Sequence, residues 1–355
     1  MWFLALFVSS GAAMPRMTAD DRQTGTSGDA RMPYGRGALR LIRVEGRGIF
    51  VLWGFMRLRI DLAYDGGGFY GWAVQPDIRT VQGEIERALH RILRVAPNDA
   101  DEPLRLVVAG RTDTGVHASH QVCHIDVSDE VLERAVGHMR VPAVTALEHR
   151  LQRVLPDDIV IHRITQAPEG FDARFSALER TYVYRIADRG SEVDPRLRGC
   201  VLHVDGDLDI DAMNQAAEQT IGLHDFGSFA TPNPGGTTIR EVKRARWTRV
   251  PASPLTGRVP DGYTVPTFES GLVCFTIVAD AFARNMVRSL VNGCVQVGLG
   301  KRDVDWFRGK MAVPRREGST GPIAPQGLTL EHVAYPADDL LASRAQAIRA
   351  KRTLP

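Results

Sequence analysis

Gly110-Arg111-Thr112-Asp113-Thr114-Gly115-Val116-His117-Ala118 lies between an apolar run, Leu104 to Ala109, and a β-branched run, Val122 to Val127. Glycines adopt backbone angles that other residues avoid, so the stretch reads as a tight turn joining two strands. A carboxylate two residues after an arginine, on such a turn, is held by a rigid frame and open to a substrate. Two plainer readings compete. Asp before Thr-Gly builds turns by bonding backbone amides two residues on. Asp113-Thr114-Gly115 is also the tripeptide of aspartic proteases, which need two carboxylates sharing a proton. The chain has no second Asp-Thr-Gly or Asp-Ser-Gly, and Arg111 would favour full ionisation of the pair. The protease reading is set aside.

Outward from this turn, the chain alternates strand and helix signals. Arg57 to Tyr64 has the period of a strand, and Asp65-Gly66-Gly67-Gly68 is a turn. Thr80 caps a helix whose apolar face carries Val81, Ile85, Leu89, Ile92 and Leu93. Leu106–Ala109 and Val122–Val127 read as strands, Pro142–Val154 as a helix and Ile159–Ile164 as a strand. The second half has similar content. Thr181–Ile186, Phe226–Phe229, Ile239–Val250, Leu272–Val278 and Leu328–Tyr335 read as strands, and Ile210–Ile221 and Ala283–Val297 as helices. Gly298 and Gly300 end the last helix. The expected fold class is α+β: two α/β halves, 56–165 and 166–338, with a cleft between them, followed by a basic tail, 339–355.

The composition is that of a globular protein with 44% hydrophobic and 24% charged residues. Residues 1–55 differ from the rest, being polar and rich in Gly and Arg after a short apolar run at Trp2–Val8. They are read as a disordered extension, or as the product of a start placed upstream of Met56. The net charge is +2. Seven of the 44 bases and four of the 42 acids lie in residues 1–55, leaving 37 against 38 in the remainder. A nucleic-acid surface must therefore come from local clustering of bases. Cys123, Cys200, Cys274 and Cys294 form no Cys-x-x-Cys pair and read as reduced thiols of a cytoplasmic protein. No segment has the length and apolarity of a membrane span.

Several motifs were weighed for chemistry. Gly66–Gly68 lacks the Lys-Ser/Thr of a phosphate loop. His117, His120 and His124 would share a face on a helix, but Gln121–Val127 favours a strand, where they do not, so no metal is expected. Arg174 and Arg180 lead into Tyr182-Val183-Tyr184, where a tyrosine beside bases could stack an unpaired base, or two tyrosines could simply fill a core. Arg288 falls four residues after Arg284 and could reach inward to a carboxylate.

Taken in order, these segments resemble the TruA-type tRNA pseudouridine synthases from about Met56 to Pro336. The resemblance rests on Tyr64-Asp65-Gly66 with Gly71-Trp72, Thr80-Val81-Gln82-Gly83, Gly110-Arg111-Thr112-Asp113 with Gly115-Val116-His117-Ala118, and Ala173-Arg174-Phe175-Ser176-Ala177. It continues through His224-Asp225-Phe226 with Ser228-Phe229, Met286-Val287-Arg288, and Ala324-Pro325 with Gly327-Leu328. Ala73, Thr114, Asp172 and Ala283 depart from the residues usual in the family.

The resemblance implies the pseudouridine synthase fold, two α/β halves whose largely antiparallel sheets meet at a central catalytic cleft. It also implies an isomerase that converts uridine to pseudouridine at positions 38 to 40 of the tRNA anticodon stem-loop, without cofactor or metal, as a homodimer. It assigns Asp113 as the catalytic aspartate, Arg288 as its ion-pair partner and Tyr182 as the ring that stacks on the everted base. Arg111, Thr112, Arg174 and His117 become substrate-binding candidates. The alternative is a non-catalytic RNA-binding α/β protein, for which Asp113 would be dispensable.

Overall fold

Leu58, Ile60, Leu62 and Tyr64 are buried and their neighbours partly exposed along the first long strand, as a half-covered sheet demands. A computed structural model describes residues 40–43, 50–191, 193–232, 235–252, 258–259, 262–263 and 269–348. Of the extension expected over 1–55, residues 1–39 and 44–49 lie outside them, and Arg40–Arg43 and Phe50–Trp53 are strand. The strands are β1 (Arg40–Arg43), β2 (Phe50–Trp53), β3 (Phe55–Tyr64), β4 (Val107–Val108), β5 (His117–Ser128), β6 (Ile159–Gln166) and β7 (Glu179–Ala187). They continue with β8 (Leu202–His203), β9 (Gly222–Asp225), β10 (Ile239–Arg249), β11 (Arg258–Val259), β12 (Gly262–Tyr263), β13 (Val273–Ala279) and β14 (Leu328–Ala334). The helices are α1 (Val81–Leu93), α2 (Asp129–Glu133), α3 (Ala143–Val154), α4 (Ile210–Glu218), α5 (Met286–Gly298), α6 (Val304–Ala312) and α7 (Leu341–Ala347).

The fold is mixed α/β and largely antiparallel, as expected, but the strands of the two halves form one sheet. Its order is β6-β3-β5-β14-β7-β13-β10-β9, with β4 added beside β5 and β8 beside β7. The join is β14, which runs parallel to β5 (Thr329 opposite His117) and antiparallel to β7 (Leu330 opposite Tyr182). The last of the described strands thus inserts between strands of the first and second halves. β1 pairs with β2 and β11 with β12 as separate two-stranded ribbons.

Helices cover the sheet near its two ends. α1 and α3 pack together, with α3 against β6; α4 packs against α5 and β10. The Thr80 hydroxyl accepts from Gly83 N–H and caps α1 as read from the sequence. Three local readings are corrected. Residues 226–229 are not a strand: β9 precedes them, and Phe226 and Phe229 are buried from a turn. α5 starts at Met286 rather than Ala283, because Asn285 takes a left-handed φ of 62° and halts the helix there. The strand expected over Leu106–Ala109 shortens to β4, while β5 extends back to His117.

Candidate active site

The turn at Asp113 is built by its backbone and by neighbours, and its carboxylate takes no part in building it. Val116 N–H donates to Asp113 C=O at 3.2 Å and Gly115 N–H to Phe69 C=O at 3.2 Å. Trp72 N–H donates to Thr112 C=O at 3.1 Å. Gly115 has φ 75°, and a Cβ there would come within 2.7 Å of Pro325 Cγ. Gly71 has φ 88°, and its Cβ would press on Thr112 C=O at 2.9 Å. Both glycines are therefore required where the loop is clasped from either side.

A buried polar chain fixes the residues before Asp113. Gln121 Nε2 donates to Gly110 C=O at 2.8 Å and to the Tyr64 hydroxyl at 3.2 Å. Since Tyr64 accepts there, its own proton is directed to Thr112 Oγ1, 2.8 Å away. Burial pushes the Tyr64 phenol up to about 12, ahead of the opposing hydrogen bonds, so it stays protonated. Thr112, a substrate-binding candidate, has its side chain buried in this network.

The freed carboxylate of Asp113 faces Arg288 on the first turn of α5, with Nη1 to Oδ2 at 3.9 Å. The Arg288 side chain is 14% exposed and that of Asp113 34%, so the pair is long and half-open to water. Arg288 is oriented instead by Nε–H donating to Ile323 C=O at 2.7 Å. Burial lowers its pKa, and the charge of Asp113 opposes that fall.

Tyr182, on β7, is buried. Its phenol is raised by burial first, then by Tyr64 and by the charge of Asp113, so it is neutral at physiological pH. Its ring meets Phe282 edge-on, with centroids 5.1 Å apart at 87°. Tyr184, on the same strand face, donates to Ala324 C=O at 2.6 Å. The structure thus faces Asp113 to Arg288 and sets Tyr182 near enough to Asp113 to feel its charge.

The other candidates are placed differently. Arg111 and Arg174 are exposed, and the Arg174 guanidinium lies 5.1 Å from the Phe175 ring centroid. His117 is buried beneath the turn at Gly66, whose N–H donates to its Nδ1 at 3.0 Å. His120 and His124 do other work: His120 Nε2 is 3.0 Å from Asp61, and His124 Nδ1 accepts from Ala173 N–H at 3.0 Å. Among the described residues no group of His, Cys, Asp and Glu could hold a metal ion, and no helix is long and apolar enough to cross a membrane. A cavity lined by Ser119, Arg185, Cys200, Glu269, Thr329 and Glu331 opens on the sheet face opposite Tyr182. Its arginine is paired with both glutamates.

Sequence reasoning missed Gln121, Phe282 and Ile323. Tyr64 and Ala324-Pro325 stood in quoted motifs, but nothing local showed that they would meet the Asp113 loop.

Comparison with known proteins gives a consistent result. A family profile described as tRNA pseudouridine synthase matches residues 216–336. A tRNA pseudouridine synthase A from Bifidobacterium longum is 74% identical over 304 residues, 84% of this chain and 99% of the relative. The protein of the same name from Bifidobacterium animalis subsp. lactis is 69% identical over 299 residues, again 84% of this chain and 99% of the relative. That from Streptomyces griseus is 45% identical over 302 residues, 85% of this chain and 96% of the relative. Identity at this level, over this much of both partners, means that the chain belongs to the tRNA pseudouridine synthase A family.

Proposed function

We propose that this chain isomerises uridine to pseudouridine in tRNA, at positions 38 to 40 of the anticodon stem-loop, with Asp113 acting on the everted nucleoside. In this reaction the C1′–N1 bond breaks, the uracil turns in the site, and C5 bonds to C1′. The C5 proton leaves to solvent and N1 regains one. Atoms and electrons balance without a redox partner, so the chemistry calls for neither cofactor nor metal. Asp113 serves as nucleophile toward ribose or base, or as the group that removes a proton.

One observation carries this reading: the Asp113 carboxylate bonds nothing in its own turn and is turned to Arg288 instead. A turn-building aspartate would spend its oxygens on backbone amides. The Arg288 guanidinium favours the ionised carboxylate that attack requires. Tyr182 offers a neutral ring for stacking on the extruded base, worth about 1–3 kcal/mol. Arg111 and Arg174, exposed near the ends of the same segments, are suited to phosphates. The half 56–165 supplies Asp113 and the half 166–338 supplies Tyr182 and Arg288. The same reading carries a homodimer working on tRNA in the cytoplasm, which sedimentation of the purified chain with and without tRNA tests.

The deciding experiment is tritium release from tRNA carrying 5-tritiated uridine. Asp113→Asn is expected to bind tRNA and release no tritium. Release at the wild-type rate would remove Asp113 from the chemistry and favour the non-catalytic alternative.

A further inference from the structure

Arg180 is a buried cation that the chemistry above leaves unused. It is 7% exposed, two residues before Tyr182 on β7. Its hydrogen bonds all go to backbone carbonyls: Nη1–H to Asp280 at 2.6 Å, and Nη2–H to Ala109 at 2.7 Å and to Arg174 at 2.8 Å. Among the described residues no carboxylate lies within ion-pair distance of it. Burial lowers its pKa, with Tyr335, Tyr182 and Asp280 opposing that fall. Taking a guanidinium out of water without a paired carboxylate is costly, and an apolar side chain would fill the same space at lower cost. What the guanidinium adds is a rigid planar fork of donors.

The three acceptors belong to three segments that carry the site. Ala109 immediately precedes Gly110-Arg111-Thr112-Asp113. Arg174 is itself an exposed basic residue and a substrate-binding candidate. Asp280 lies two residues before Phe282, whose ring packs perpendicular to that of Tyr182, and leads into the first turn of α5 with Arg288. One side chain therefore ties together the backbone leading to the carboxylate, to the ring packed on Tyr182 and to the exposed Arg174.

We propose that Arg180 is a positioning residue of the isomerisation: it sets the relative placement of the Asp113 loop, the Arg174 loop and the Phe282–Arg288 segment. This rests on the roles given above to Asp113 and Tyr182. Catalytic groups must be held close to their productive geometry, and a displacement of about 1 Å can cost about a hundredfold in rate. Lysine keeps the charge and three N–H donors, but all three radiate from one nitrogen, whereas the carbonyls are bonded from two separate guanidinium nitrogens.

The test uses the full chain with Arg180→Lys and Arg180→Met, and Asp113→Asn in parallel. Three readouts are taken: thermal unfolding, tRNA affinity by filter binding, and single-turnover tritium release with saturating enzyme. The expected result is a folded Arg180→Lys protein with near-wild-type affinity and a saturating rate lowered about a hundredfold, no better than Arg180→Met. A purely structural arginine would lower the melting temperature and leave that saturating rate within twofold of wild type, which overturns the proposal. If neither variant folds, Phe282→Leu decides. A lowered saturating rate with intact affinity supports the placement of the Phe282–Arg288 segment by Arg180, and a wild-type rate sinks it. Activity in Asp113→Asn would instead refute the underlying reading, whatever the Arg180 variants do.

Discussion

Arg288 touches Asp113 at 3.9 Å but hydrogen-bonds Ile323 C=O at 2.7 Å, and the two contacts have different consequences. A sealed ion pair broken on one side would cost about 3–5 kcal/mol. Here the carboxylate is a third exposed, so water screens it and takes over its solvation when the arginine is lost. The larger stability cost of Arg288→Met is the unbonded Ile323 carbonyl, about 1–3 kcal/mol. The rate should suffer more, by about a hundredfold or greater, because an oriented cation beside the reacting group is gone. Urea unfolding and single-turnover tritium release measure the two separately. A variant that loses stability but keeps its rate would leave Arg288 a strut for the 323 loop. The residues around Arg288 allowed it to reach a carboxylate, and the family resemblance named Asp113 as that carboxylate, but nothing in the sequence showed what orients the guanidinium. Its aim depends on Ile323, which is distant in the chain.

At the level of elements, the site depends on turns that admit no side chain. A Cβ on Gly66 would sit 2.0 Å from Val116 C=O, within the backbone that leads out of the Asp113 loop. Backbone cannot yield as a flexible side chain does, so Gly66→Ala should displace that loop and also strain the Gly66 N–H to His117 bond. The expected outcome is a loss of about 1–3 kcal/mol, together with faster amide exchange at 113–117. Unchanged exchange there would show the turn to be tolerant. The end of β7 makes a different prediction. Burial raises the Asp188 carboxyl, but Arg249, the Ser191 hydroxyl and Leu208 N–H outweigh it and hold the group at about 2. A carboxyl depressed by folding stabilises the native state above its unfolded pKa and stops doing so as pH falls through the folded one. About 2 kcal/mol should therefore be present near neutrality and mostly lost between about pH 4 and about pH 2. In urea titrations the gap between wild type and Asp188→Asn should narrow over that range, and a gap independent of pH would contradict the assignment. Elements with a strong period or cap, such as β3 and α1 with Thr80, were legible in the sequence. The start of α5 was not, because Asn285 breaks an otherwise helical pattern through its backbone angle rather than its polarity.

For the whole molecule, the least legible feature was the single sheet. Alternation within Leu328–Tyr335 shows a strand but not its neighbours, and β14 finds one of them at His117–Ala118, more than 200 residues earlier. Asp113 and Tyr182 are brought together by that insertion, since β14 lies between the strand that follows the Asp113 loop and the strand that carries Tyr182. Charge is also a property of the whole chain. A net +2 cannot draw a polyanion by itself, so tRNA affinity must come from bases exposed around the site, Arg111 and Arg174 among them. Each phosphate neutralised releases counterions, so the logarithm of affinity should fall linearly with that of salt, by about 0.7–0.9 per contact. Arg111→Gln should weaken binding and flatten the slope by about one contact, while leaving the unfolding free energy within about 0.5 kcal/mol of wild type. Filter binding across a salt series checks both. If the slope is unchanged by that substitution, Arg111 does not meet a phosphate. If affinity is insensitive to salt altogether, the complex is held by something other than the basic residues that frame Asp113.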